Sequence, residues 1–246
     1  MVYLILSDIH ANWEALQAVL DAAQGQYQTV LCCGDVVGYG ADPNPVAGWV
    51  RDNVLQTVRG NHDKFCSGIE PIFEVSFLAE QAAIWTRCEL TEGNRSWLAS
   101  LPQGPLEVDG MRILHGSVRD EDEYIGTVEE ARNVRHLLKD DVLFFGHTHQ
   151  QEIYYCHRNG IRLIPGPQAF ESELAWSVDE KASWLINPGS VGQPRDGDPR
   201  AAYALYDTSN RLLSFHRTRY DIAKAQHKIL AAGLPEKLAD RLAVGY

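Results

Sequence analysis

Val2-Tyr3-Leu4-Ile5-Leu6-Ser7-Asp8-Ile9-His10-Ala11-Asn12 begins with five apolar residues that run straight into a carboxylate and an imidazole. A continuous apolar run of that length, closed by polar residues, is the mark of a strand buried on both faces. Behind it Leu16, Val19, Leu20 and Ala23 recur at helical spacing, and Asn12 is placed to start that helix. The pattern then repeats. Thr29 to Cys33 is a second buried-strand run, the Gly-rich loop Gly34 to Gly40 follows it, and Asn44-Pro45 marks a helix start ahead of Val46, Trp49 and Val50. The chain therefore opens βαβα.

Further along, Leu55 to Val58 reads as a strand entering Gly60-Asn61-His62-Asp63, and the stretch from about Pro71 to Leu101 reads mostly as helix. Arg112 to Leu114 is another short apolar run. Thr127-Val128-Glu129-Glu130 is a capping box that opens a helix with Ala131, Val134 and Leu138 on one side, and the strand Val142 to Phe145 comes after it. From Gln151 the pattern changes to short strands in hairpin order: Ile153 to His157, the turn Arg158-Asn159-Gly160, Ile161 to Ile164, Ser183 to Ile186, Ala202 to Asp207 and Leu212 to His216. The tail from Asp221 is helical, interrupted at Gly233-Leu234-Pro235 and resumed to Leu242. No linker divides it, so residues 1–246 are expected to form one α/β domain of two packed sheets with flanking helices.

Composition narrows the function. A formal net charge of −11 opposes any partner held through a long nucleic-acid backbone, which needs clustered Lys and Arg. A small phosphate substrate is still admissible, because bound metal ions reverse the local potential of an acidic cleft. The five cysteines are odd in number and irregularly spaced, which fits reduced thiols. Met1 leads directly into the first strand, and no run approaches membrane-spanning length, so no membrane partner and a cytoplasmic place are expected.

Asp8, Asp35, Asn61, His115 and His147 each fall just after a run read as a strand. In open α/β sheets, ligands bind in the crevice beyond the carboxyl ends of the strands, so five loops can deliver side chains to one point. One such residue means little, since a single buried histidine is usually a satisfied core residue. Five of the nine histidines in such loops, each beside Gly, Asp or Asn, are not a chance scatter.

Asp8-Ile9-His10, Gly34-Asp35-Val36-Val37-Gly38, Gly60-Asn61-His62-Asp63, His115-Gly116 and Gly146-His147-Thr148-His149 resemble, in order, the motifs of the calcineurin-like metallophosphoesterase superfamily. Asn187-Pro188-Gly189-Ser190 extends the resemblance into the second half, and the size and ending are similar to those of small bacterial and archaeal predicted phosphodiesterases. The resemblance implies an αββα sandwich of two mixed β-sheets flanked by helices. It also implies two divalent transition-metal ions (Mn, Fe, Zn, Co or Ni). Asp8, His10, Asp35 and His149 would hold one, and Asp35, Asn61, His115 and His147 the other, with Asp35 bridging through its two oxygens. Hydrolysis of a small phosphodiester or nucleotide by a metal-bridging hydroxide follows by resemblance. Ions roughly 3.5–4 Å apart clamp the phosphate in such a mechanism.

By the same resemblance His62 protonates the leaving group, oriented by Asp63. Asn12, Tyr39 and Arg195 are candidate substrate contacts, and Arg200 is a lesser one. Protein Ser/Thr phosphatases of the superfamily follow Gly-Asp with Asp-Arg-Gly and Asn-His with Glu. Here stand Gly38-Tyr39-Gly40 and Asp63, which argues against protein substrates. A phosphomonoesterase or nucleoside-polyphosphate hydrolase remains the enzymatic alternative, and a non-catalytic metal-bearing interaction scaffold the alternative outside enzymes. Arg119 with Asp120 to Tyr124 is expected to be a mobile, solvated loop, with a lid as its other reading. Metal identity, natural substrate and oligomeric state stay open at this level.

Overall fold

The computed structural model describes residues 1–138, 141–168 and 170–246. In chain order the elements are β1 (Val2–Leu6), α1 (Trp13–Ala23), β2 (Thr29–Cys32), α2 (Pro43–Asn53), β3 (Gln56–Thr57), α3 (Asn61–Ser67), α4 (Phe77–Glu89) and α5 (Glu92–Ala99). Then come β4 (Leu106–Val108), β5 (Met111–Ile113), α6 (Val128–Val134), β6 (Val142–Phe144), β7 (Gln151–His157), β8 (Gly160–Pro165) and β9 (Glu173–Ser177). The chain closes with β10 (Ser183–Pro188), β11 (Ala201–Asp207), β12 (Leu212–Thr218), α7 (Ile222–Ala231) and α8 (Glu236–Val244). Among the described residues the strands form two six-stranded sheets, ordered β3-β2-β1-β11-β12-β9 and β4-β5-β6-β10-β7-β8. Both are mixed, as the αββα expectation required. β1, β2 and β3 run parallel, as do β5, β6 and β10, while β11, β12, β7 and β8 join antiparallel.

The period-2 alternation of strand side chains builds the layers. Tyr3 and Ile5 of β1, Leu31 of β2, Met111 and Ile113 of β5, Phe144 of β6, Ile186 of β10 and Phe215 of β12 meet between the sheets. The alternate residues Leu4, Leu6, Val30 and Cys32 face away from that layer and pack under Leu16 and Val19 of α1 and Val46 and Val50 of α2. On the far side, Leu143 and Leu185 pack beneath Ala131 and Val134 of α6. At ~1.5–3 kcal/mol for each fully buried aliphatic or aromatic side chain, these layers hold the frame rigid around its strand ends.

Some boundaries differ from the expected ones. α2 starts at Pro43 after Asp42, since proline is preorganised for a first helical turn. α6 stops at Val134 and continues as a short 3-10 turn, Arg135–Leu137, so Leu138 lies beyond the helix. β4 and β9 were not expected. Within Pro71 to Leu101 the helices are two, each opened by a hydroxyl cap: Ser76 accepts from Ala79 N, and Thr91 from Asn94 N.

Candidate metal centre and substrate cleft

Asp8 and His10 follow β1, Asp35 follows β2, Asn61 and His62 open α3 just after β3, His115 follows β5, and His147 and His149 follow β6. The turns brace one another. Asp8 N donates to Gly34 O at 3.0 Å, His10 N to Asp35 O at 3.0 Å, and Gly146 N to His115 O at 2.8 Å. His147 N donates to both carboxylate oxygens of Asp8 at 3.2 Å and so ties one sheet to the other. Gly146 packs tightly against the loop after β1: a Cβ there would lie 2.0 Å from Ser7 Oγ and 2.6 Å from Asp8 Oδ2. Any side chain at this position would force the two sets of strand ends apart.

Asp8, His10, Ala11, Asp35, Tyr39, His147 and His149 all take left-handed backbone angles, with φ between 49° and 69°. Each costs a non-glycine residue about 1–3 kcal/mol and persists only where the surroundings over-determine it. Concentrated in one cleft, the strain aims side chains that relaxed turns would point elsewhere.

Two groups of donors come together: Asp8, His10, Asp35 and His149, and Asp35, His115 and His147. Their protonation follows from the outer contacts. His10 Nδ1 lies 3.1 Å from Val37 O, His149 Nδ1 2.6 Å from Gln193 O, and His115 Nδ1 2.8 Å from Cys33 O. A carbonyl only accepts, so each Nδ1 carries the hydrogen and, in the neutral ring, each Nε2 offers a lone pair. Yet His10 Nε2 and His149 Nε2 face one another at 3.1 Å, and His149 Nε2 is 3.2 Å from Asp8 Oδ1. Acceptors turned on acceptors in a buried pocket need a cation between them.

The second group is built the same way. His115 Nε2 lies 3.3 Å from Asn61 Oδ1 and 3.4 Å from Asp35 Oδ2, while His147 Nε2 is engaged with Asp122 O at 3.1 Å, which leaves Nδ1 to face the cluster. These nitrogen and oxygen donors fit transition-metal ions. Asp35 stands between the groups. Its Oδ2 lies 3.5 Å from His10 Nε2 and 3.4 Å from His115 Nε2, and its Oδ1 accepts from His62 N at 2.9 Å.

The charges press on one another. Burial lowers His115, but Asp35 and Asp8 more than offset it and lift the imidazole to about 10. Asp35 is raised by burial, yet His115 and His62 hold it well below the usual carboxylate range. Burial raises Asp8 to about 7 and lowers His147 to about 3.

The sequence profile of the calcineurin-like phosphoesterase superfamily domain matches residues 1–211. The chain belongs to that family. It is also 34% identical to the uncharacterized protein MJ0912 of Methanocaldococcus jannaschii, over 98% of this chain and 97% of that one. Among solved structures, a metallophosphoesterase from Sphaerobacter thermophilus superposes with a TM-score of 0.88 at 36% identity, covering 100% of this chain and 99% of the other. The hypothetical protein PH1004 of Pyrococcus horikoshii OT3 shares the fold, with a TM-score of 0.78 at 18% identity over 100% and 98% of the two chains.

Membership makes the chain a phosphoester hydrolase, and the remaining site residues take their meaning from that. His62 is buried beside the donors, its ring 4.9 Å from that of His10 and 4.4 Å from that of Tyr39. Its Nδ1 has no hydrogen-bond partner, and burial pushes the imidazole down to about 4. Gly38, with φ at +92°, keeps this space open: a Cβ there would sit 2.6 Å from His62 Nδ1.

Asp63 does not orient His62. Its Oδ1 accepts from Val36 N and Val37 N at 2.9 and 3.2 Å, and its Oδ2 from Gly60 N at 3.0 Å, so it pins the loop after β2 to the start of α3. Asn12 is likewise consumed by the fold. It caps α1 at Ala15 N and donates to Gly192 O at 2.9 Å, so both of its amide atoms are engaged by the fold. Arg200 pairs with Asp198 and lies away from the cleft.

Tyr39 and Arg195 do line the cleft of about 590 Å³ that contains Asn61, His62 and His147. The segment 119–124 is not the free loop expected from its charges. Arg59 binds Glu121 in a two-pronged contact at 2.9 and 2.8 Å, and buried Lys64 reaches Glu121 at 3.1 Å and Asp122 at 2.6 Å. So clamped, the segment presents Asp122 O to His147 and stacks Tyr124 on the His147 ring at 3.8 Å. Asn187 and Ser190 brace the opposite wall, with Asn187 Nδ2 donating to Gly146 O at 2.9 Å and Ser190 Oγ to Asp8 O at 2.8 Å. Lys64, Arg59, Gln193 and Arg241 escaped the sequence reading. Their partners are distant in the chain, and only the closeness of Lys64 to His62 hinted at a role.

Proposed function

We propose that the protein hydrolyses a small phosphodiester or nucleotide with two divalent transition-metal ions. Asp8, His10, Asp35 and His149 hold one, and Asp35, Asn61, His115 and His147 hold the other. The observation that carries this reading is the convergence of imidazole lone pairs and carboxylate oxygens on two adjoining points, with Asp35 Oδ2 common to both. When bound, the ions supply Lewis-acid stabilisation of the phosphoryl oxygens and an activated water.

The chain's own residues do the rest. The strained turns fix the donors before substrate arrives, so little reorganisation is left to the reaction. His62 faces the cleft with its unpartnered ring and donates a proton to the leaving oxygen. A phosphoryl anion beside it offsets the burial that lowers it. Arg195 binds a phosphate oxygen. The loop after Asp35 carries Tyr39 where the protein phosphatases carry arginine, which favours a small ester over a phosphoprotein. The net charge of −11 favours the same choice over long nucleic acid.

Among the described residues no helix is long and apolar enough to cross a membrane. Four of the five free cysteines are buried, which supports a reducing, cytoplasmic setting.

The test is a comparison of initial rates, with Mn(II) present, on bis-p-nitrophenyl phosphate, p-nitrophenyl phosphate and a phosphoserine peptide. The diester should be turned over fastest. Preference for the monoester transfers the protein to the phosphomonoesterases, preference for the peptide removes the small-substrate reading, and no turnover of any of them leaves a metal-bearing scaffold.

A further inference from the structure

The cleft beside the metal donors carries aromatic surface that the chemistry at phosphorus does not use. Phe65 lies one turn beyond His62 on α3, so the two share a face, and their rings meet edge to face with centres 6.2 Å apart. Phe73 and Val75 line the same cleft, and Tyr124 enters it from the segment clamped over His147.

The position of Phe73 is fixed by its neighbours. Ile72 and Val75 pack against the core beneath α1 and α2, and Arg87 secures the approach by donating to the main-chain oxygens of Phe65 and Glu70. Between those anchors Glu74 takes a left-handed backbone angle of 54°. Phe73 is left 71% exposed on the cleft lining. Tyr124 is 50% exposed even though it stacks on the His147 ring. Single exposed apolar side chains are ordinary. Two exposed aromatic rings from distant segments that line one cleft mark a binding surface.

What that surface takes follows from its chemistry and from its continuity with the donors. Phe65 places it beside His62, which serves the leaving oxygen, so its occupant is the alcohol half of the ester. Aromatic rings favour a flat ring system over a flexible chain. Glu74 and Ser76 on the same lining suit the amine and hydroxyl edges of a nucleoside and disfavour a lipid tail. At about 590 Å³ the cleft falls in the range of sites that enclose a whole small molecule, which is more than a phosphoryl group fills.

We propose that Phe73, with Phe65 and Tyr124, forms a stacking subsite for the base of a leaving nucleoside. The preferred substrate is then a nucleoside phosphodiester. On hydrolysis the bond from phosphorus to the nucleoside oxygen breaks, and that oxygen takes the proton that His62 gives up. Water supplies the hydroxyl that joins phosphorus, and its remaining proton returns to His62. This inference rests on the hydrolase reading above, and its test separates the two.

Mn(II)-loaded protein is titrated calorimetrically with deoxyadenosine 5′- and 3′-monophosphate and with 2-deoxyribose 5-phosphate, which lacks the base. Turnover is followed on the methyl esters of the two nucleotides and on bis-p-nitrophenyl phosphate. The better nucleotide should bind about tenfold tighter than the sugar phosphate, the gain expected from one base stacked on an aromatic ring. Its methyl ester should yield deoxyadenosine and methyl phosphate. Phe73→Ala should bring the ratio of dissociation constants toward one, and Phe73→Tyr should keep it. Phe73→Leu, which retains apolar surface without a ring, should lose most of it. Equal wild-type constants for the nucleotides and the sugar phosphate overturn the subsite, as does a ratio that survives in folded Phe73→Ala. A ratio kept in full by Phe73→Leu also overturns base stacking, and release of methanol in place of the nucleoside overturns the leaving-group placement. Calorimetric preference for a nucleotide with no turnover of any ester keeps the subsite and overturns the hydrolase reading.

Discussion

His62 tests the chemistry most sharply at the scale of single residues, because it lies against the donors without sharing their outer carbonyl contacts. His62→Ala should keep its bound metal and lose roughly 10²–10⁴-fold in rate on esters with poor leaving groups, and far less on p-nitrophenyl esters. Rates across a series of leaving groups check this: an equal loss on all of them removes the proton-donor role, and loss of metal makes His62 structural. Asn12→Ala should instead cost stability, about 1 kcal/mol or more for the lost cap of α1, with KM unchanged. Urea unfolding measures the first, and a raised KM at full stability would return Asn12 to the substrate site. The donors themselves were legible because each directly follows an apolar run in a recognisable motif. The roles of Asp63 and Asn12 were not, since a polar residue in a motif looks the same whether it serves the substrate or three backbone amides.

Elements were legible where burial is two-sided. Val2–Leu6 and Val142–Phe144 are buried throughout or nearly so and read as unbroken apolar runs. β9 sits at a sheet edge with alternating exposed and half-buried residues, and β4 is a three-residue edge strand, so neither leaves such a trace. The charged segment 119–124 was misread for a related reason. Its charges look solvated until Lys64 and Arg59, about sixty residues away in sequence, fold over it. Lys64→Met should therefore unclamp Glu121 and Asp122. The expected cost is about 3 kcal/mol, the low end for breaking a buried pair, because Arg59 still holds Glu121. If His147 holds an ion as proposed, the change should also lower metal content, because His147 Nε2 rests on Asp122 O. Stability and metal content measured together check it, and a variant unchanged in both would mean that the segment is free after all.

The whole molecule is a rigid two-sheet frame whose strand ends bring imidazole and carboxylate acceptors together at two adjoining points. Its pH dependence follows in sign. His115, lifted to about 10, and Asp8, lifted to about 7, must both give up protons for ions to bind, so apparent metal affinity should rise with pH, by about tenfold per unit between 7 and 10 and by about a hundredfold per unit below 7. Calorimetry at pH 6, 7 and 8 checks this, and a constant affinity would contradict it. The most direct test of metal-dependent hydrolysis at those points is a titration of EDTA-treated protein with Mn(II), following bound metal and bis-p-nitrophenyl phosphate hydrolysis together. Activity should start near zero, climb with occupancy and break close to two ions per chain, and EDTA should reverse it. Full activity in the metal-free protein, or a plateau at a single ion, would contradict the account.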